Sequence, residues 1–126
     1  MAKHLSIEVL GVDEVERFLE DSTKKVQTTT KNIMRENGML LKEEVEASIL
    51  GQRAEPRSVD TGAFSQSVEV KPEGYNVEVV STVPYSVFLE YGTIYIPERR
   101  HFRNSLDRTT PIMIEKLQDA INDELD

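Results

Sequence analysis

The sequence contains no cysteine and no tryptophan. The first absence excludes disulfides, thiolate metal sites and a cysteine nucleophile, and is compatible with folding in a reducing compartment. The second removes the usual aromatic platform for a carbohydrate. Long hydrophobic runs are missing too: no apolar stretch approaches the roughly 20 residues that cross a bilayer. Met1-Ala-Lys-His-Leu5 lacks a signal-peptide core, so neither membrane association nor export is expected. Positive charge is scarce, with 15 Lys and Arg against 23 Asp and Glu, a formal net charge of −8. Such a chain repels a phosphate backbone on average, which argues against a dedicated DNA-binding role. The local exception is Glu98-Arg-Arg-His-Phe-Arg103, whose Arg99, Arg100 and Arg103 read as a solvated connector or a docking contact.

Reactive constellations are equally sparse. The two histidines, His4 and His101, stand in unlike contexts, and no His-Glu-x-x-His spacing places metal ligands on one helix face. There is no Gly-rich phosphate loop, nucleophile elbow or Ser-His-Asp pattern. Asp60 and Glu90 are conceivable as a carboxylate pair, but so are any two acids among 23. Asp60-Thr61-Gly62 reads as a turn in which side-chain oxygens bond nearby amides while Gly62 takes the left-handed conformation. No catalytic residue, metal or cofactor is expected.

What is present is one domain's worth of pattern. The 126 residues, 38% apolar and 30% charged, suit a single domain over 1–126. Leu5-Ser-Ile-Glu-Val9 alternates like a half-buried strand and Gly11 stops it. Asp13 and Glu16 have capping-box spacing. Beyond them Val15, Leu19, Val26, Ile33, Leu40 or Leu41, Val45 and Ile49 form an apolar stripe, predicting one long helix to about Ser48, on the order of 50 Å, with Gly38 as the place for a kink. Residues 51–62 read as an exposed, flexible loop. Ser67–Lys71 and Tyr75–Val80 alternate around Pro72-Glu73-Gly74, a β-hairpin. Tyr85, Phe88 and Leu89 suggest a short helical turn, although Tyr85, Val87, Leu89 and Tyr91 also fit strand alternation, and Ile94-Tyr-Ile96 suggests a short edge strand followed by Pro97. Phe102, Leu106, Met113, Leu117, Ile121 and Leu125 share a helical face, interrupted by Pro111. Either Thr110 caps a helix that starts at Pro111, or one helix is kinked there. The expected class is α+β, with a long N-terminal helix and a C-terminal helix packed on a small, mainly antiparallel sheet.

Three motifs carry a resemblance: Val59-Asp60-Thr61-Gly62; Val83-Pro84-Tyr85 leading into Leu89-Glu90-Tyr91-Gly92-Thr93; and Phe102-Arg-Asn-Ser-Leu106. In order and spacing they resemble the head-tail joining and tail-completion minor tail proteins of tailed (siphophage) bacteriophages. Ser86 stands for that family's usual alanine, Tyr91 for phenylalanine and His101 for proline. The resemblance spans roughly residues 5–122. It implies a non-enzymatic structural protein of the virion neck or tail, made in the bacterial host. The implied assembly is a ring, often sixfold, that contacts itself and neighbouring neck or tail proteins while DNA passes without sequence-specific binding. Asp60, Thr61, Gly62, Tyr85, Glu90, Tyr91, Gly92 and Thr93 become structural or interface residues, with Tyr91 expected to pack inward, and Arg99, Arg100 and Arg103 candidate docking residues. The alternative is a small cytoplasmic protein-binding module with no virion role.

Overall fold

The structure is a computed structural model describing residues 5–9, 13–58 and 62–125, with side chains from residue 17 onward. Its elements are β1 (Leu5–Val9), α1 (Asp13–Asp21), α2 (Lys24–Ile49), α3 (Ala63–Gln66), β2 (Val68–Glu73), β3 (Asn76–Ser81), α4 (Ser86–Tyr91) and α5 (His101–Leu125). The class is α+β, as expected. The three strands form an antiparallel sheet in the order β1-β3-β2. Ile7 lies opposite Val79 and Val9 opposite Val77, while Val70 lies opposite Val79 from the other side.

The hairpin falls where alternation placed it, shifted at the turn. Pro72 remains inside β2, opposite Val77, and the reversal is made at Gly74, with φ 58°, and Tyr75. A proline is tolerated there because β2 is an edge strand, where a missing amide need not break a ladder on both sides.

The long first helix is two helices. Its break is at Ser22-Thr23 and not at Gly38, because these residues terminate one helix and start another. The Ser22 hydroxyl donates to the Leu19 carbonyl (2.6 Å), and the Gln27 amide donates to the carbonyls of Leu19 (2.8 Å) and Glu20 (3.1 Å), so the end of α1 is satisfied. Thr23, extended at ψ 155°, accepts from the Val26 amide as N-cap of α2. The capping-box side chains Asp13 and Glu16 lie outside the described side chains.

From Thr23 onward α2 runs unbroken and packs against both the sheet and α5. Leu41, Val45 and Ile49 join Phe64, Val68, Val79, Phe102 and Met113 in one buried cluster. The last helix resolves the Pro111 question in favour of one helix. The Thr110 hydroxyl donates back to the Leu106 carbonyl (2.6 Å) and Thr109 to Ser105 (2.8 Å), so neither caps a new start. The Ile94–Ile96 strand is not found. Those residues form a turn in which Thr93 N–H donates to the Ile96 carbonyl (2.8 Å), and Ile94 is 90% exposed.

Gly38 is buried on the sheet side of α2, and a Cβ there would lie 2.6 Å from a Val77 methyl and 2.7 Å from a Val70 methyl. The glycine permits the close approach that its helix propensity argues against. Alanine would gain about 1 kcal/mol of propensity but overpack the helix-sheet contact by typically 1–3 kcal/mol. Gly38→Ala is therefore expected to lower stability in a denaturant titration, and a stabilised variant would refute the close-packing account.

Candidate functional site

Helix α4 has its polarity reversed. Ser86 and Glu90, four residues apart and so on one face, are 0% and 1% exposed, whereas Tyr85, Phe88 and Tyr91 are 45%, 56% and 55% exposed. Val87 and Leu89, partly buried, pack on the core between these faces. Tyr91 therefore points outward, contrary to expectation. The cause is Glu90, whose carboxylate accepts the amides of Phe102 (2.8 Å) and Arg103 (3.0 Å) and the Arg103 Nε (3.0 Å). Those are first-turn amides of α5, which have no carbonyl of their own helix to bond. Glu90 caps α5 from another element and places negative charge at its positive end.

Between α4 and α5 the chain makes a finger. Arg99 N–H donates to the Leu89 carbonyl (2.7 Å) and closes the base, while the Thr93 hydroxyl accepts from the amides of Tyr95 (3.1 Å) and Ile96 (3.0 Å) and shapes the tip. The two limbs cross at Gly92, with φ 78°, where a Cβ would meet the Glu98 amide nitrogen at 2.7 Å and the Ile96 carbonyl oxygen at 2.9 Å. Glu90-Tyr91-Gly92-Thr93 thus encodes the cap, an outward aromatic, the crossing and the tip. Ile94 and Tyr95 at the tip are 90% and 87% exposed, and Ile96 is 38% exposed.

A second ionic cluster holds the other side of α5. Glu55, in the loop expected to be exposed, is 5% exposed. Arg108 grips it with two bonds of 2.8 and 2.7 Å, Asn104 donates to it (3.2 Å), and the Ser48 hydroxyl does so as well. Arg108 continues to Glu44 (2.8 Å), which Arg53 holds through two nitrogens (2.8 and 3.1 Å). The loop expected to be exposed and flexible is thus anchored at Glu55 by ionic contacts. Beside the cluster His101 is fully buried, its Nδ1 2.8 Å from Ser48 Oγ and its Nε2 2.6 Å from Ser58 Oγ. Because Ser48 donates to Glu55, it accepts from His101 Nδ1–H, leaving Nε2 to accept from Ser58. Serine hydroxyls thus flank a histidine, an arrangement sequence reasoning had not found, since nothing in the spacing of residues 48, 58 and 101 announces it. Its groups are consumed in tying the loop to α2 and α5.

Of the remaining residues singled out by sequence, Gly62 has φ 82° as expected and opens α3, while Asp60 and Thr61 lie outside the described residues. Tyr85 meets the Phe64 ring edge to face at 5.9 Å. Arg103 is committed internally, to Glu90, to Glu98 (3.3 Å) and over the Tyr91 ring (4.5 Å). Arg100, at φ 58°, bonds Asn104 (3.0 Å) and lies 3.6 Å from Glu98. Arg99 bonds the Arg57 carbonyl (3.3 Å) and has no acidic partner among the described residues. The positive φ at Arg100 goes with histidine at 101, since a following proline would push it to extended backbone. Among the described residues no His, Cys, Asp and Glu group is arranged to hold a metal, and no helix is long and apolar enough to cross a membrane.

Two outcomes follow from these charges. Glu90→Ala uncaps α5 and leaves Arg103 with Glu98 and the residue-90 carbonyl, and loss of the buried, charge-assisted hydrogen bonds should destabilise by about 1–3 kcal/mol. A chemical-denaturation midpoint unchanged from the parent would sink that role. Burial holds His101 down to about 4, against opposing fields of Glu90 and Glu55, and the Arg108 hydrogen bonds hold Glu55 down to about 2. Both folded-state values lie below their unfolded ones, so the unfolded chain binds more protons and stability falls with acid. The histidine contribution is complete above pH 6.5 and is lost as pH falls through about 4. The carboxylate contribution is complete above about 4.5 and is lost as pH falls through about 2. Melting temperatures should decline from pH 7 to 4, and a His101 NMR titration midpoint near 6.5 would contradict the burial account.

Comparison with curated proteins and with solved structures gives no match. A family model described as "Bacteriophage HK97-gp10, putative tail-component" matches residues 13–92, from the start of α1 to the crossing glycine of the finger. The match covers well over half of the chain and includes the first motif and the second as far as Gly92. The third motif, at 102–106, lies beyond it. The chain therefore belongs to the HK97-gp10-like family, and is a structural, tail-associated bacteriophage protein of the virion whose neighbours are other phage tail or neck proteins.

Proposed function

We propose that the single domain over 1–126 is a ring-forming subunit, often in sixes, at the head-tail junction or the end of the tail tube, holding head and tail together while DNA passes. The observation that carries this reading is the reversed polarity of α4 and its finger. In a tail-component family, a short helix that buries its carboxylate and presents aromatic and aliphatic side chains to water suits a subunit whose surface is completed by neighbours. A closed ring requires two different surfaces on each copy. The charge of −8 fits a conduit through which phosphates pass without being held. The buried ionic groups act as struts and not as an active site, so the role is mechanical. Tyr85, Tyr91 and Thr93 belong to the contact surface, Glu90 and Gly92 hold its shape from beneath, and Gly62 opens α3.

Electron microscopy of particles made without the subunit, and of virions carrying a labelled one, tests this reading. Expected are unjoined heads and tails, or wrongly terminated tails, in the first case and a ring of label at the neck or tail end in the second. Intact, infectious virions lacking the protein would refute it.

A further inference from the structure

We propose that the finger and the aromatic face of α4 dock on the C-terminal half of α5 of a second copy of this chain. This rests on the ring reading and specifies its interface. The first surface combines exposed Tyr85, Phe88, Tyr91, Ile94, Tyr95 and Ile96 with the basic base of the finger, where Arg99 has no acidic partner among the described residues. The second is one face of α5, where Ile112, 49% exposed, is followed at steps of three and four by the exposed acids Glu115, Asp119 and Asp123. The two surfaces carry opposite charge.

Charge complementarity selects this pairing. Two copies at −8 each repel on average, so a stable contact must bring a locally basic region of one against an acidic region of the other. The connector at Arg99 and Arg100 and the acidic half of α5 meet that condition. The same copy cannot satisfy itself. Glu90 fixes the finger to the first turn of α5, whereas Ile112 lies roughly 16 Å and Asp123 roughly 33 Å along the helix at about 1.5 Å per residue. Surfaces set apart on one rigid helix suit a head-to-tail contact, the kind that closes into a ring.

The absence of native cysteine makes a direct test available. Ile94→Cys protein mixed with Asp119→Cys protein under oxidising conditions should give a mixed disulfide dimer, and a chain carrying both should give a ladder ending at the ring. Lys31→Cys on the exposed side of α2, mixed with Ile94→Cys, should give none. Separately, Arg99→Glu with Arg100→Glu should raise the concentration needed for assembly by about tenfold or more. Asp119→Arg with Asp123→Arg in the same chain should restore it, which a mere folding defect would not allow. Rings that form without the 94–119 cross-link, or that are unaffected by the charge reversals, overturn this interface and leave the ring reading intact. A finger that cross-links only to a different tail protein overturns it as well. Failure to form rings in solution and in purified tails overturns both.

Discussion

A carboxylate taken out of water must find donors or lose its charge, and at Glu90 the donors are the opening amides of α5 together with Arg103. That one requirement fixes several features at once. It ties the short α4 to the start of the 25-residue α5, so two elements with few apolar residues between them acquire a defined join. It also sets the rotation of α4. With Glu90 and Ser86 inside, helical geometry turns Tyr85, Phe88 and Tyr91 to the water side. The finger then has to leave and return within a few residues. Its crossing leaves no room for a side chain at Gly92, and positive φ there suits glycine.

The opposite flank of the same helix start is organised by a second buried carboxylate. Glu55 gathers Arg108, Asn104 and Ser48, while His101, the first residue of α5, bridges serines 48 and 58. Between the two carboxylates sits Phe102, fully buried in the apolar cluster. The first two turns of α5 are therefore held by charge on both sides and by hydrophobic contact in the middle. Buried pairs of this kind add little net stability relative to apolar replacements, because desolvation offsets attraction. Their contribution is geometric, since a bidentate Arg-carboxylate fork accepts few orientations. Fixing the start of α5 fixes the finger relative to the rest of the helix.

Periodicity made the fold class, the hairpin, β1 and the last helix legible, because in each the apolar residues recur at the repeat of the element that forms. The misreadings share a cause. The break at Ser22-Thr23 depends on side chains capping their own backbone, a local polar effect invisible to an apolar stripe that continues on either side. Ile94 and Ile96 alternate with Tyr95 as an edge strand would, yet the Thr93 hydroxyl captures the amides of Tyr95 and Ile96 for a turn. Tyr91 is expected inward as part of a structural corner, but the neighbouring carboxylate has the stronger claim to the interior once α5 supplies its donors. Glu55 sits among Gly, Pro and charged residues that resemble a solvated loop, and its partners at 48, 104 and 108 are brought near only by tertiary packing. The reach of the Glu90 motif was legible through resemblance, while its physical task was not.

The apolar surface left outside is of a size that explains why such a subunit would work in a closed assembly. Full burial of one large apolar side chain is worth about 1.5–3 kcal/mol. Six that are already partly covered would yield on the order of 5–10 kcal/mol per contact. Association itself costs roughly 4–15 kcal/mol in lost freedom, and the acidic average adds repulsion between copies. One such contact is marginal. In a ring, the last contact forms between subunits already held by their neighbours, so its burial comes with no further loss of translational freedom. On the ring reading proposed above, a surface too weak to make a durable dimer would still suffice to close a ring.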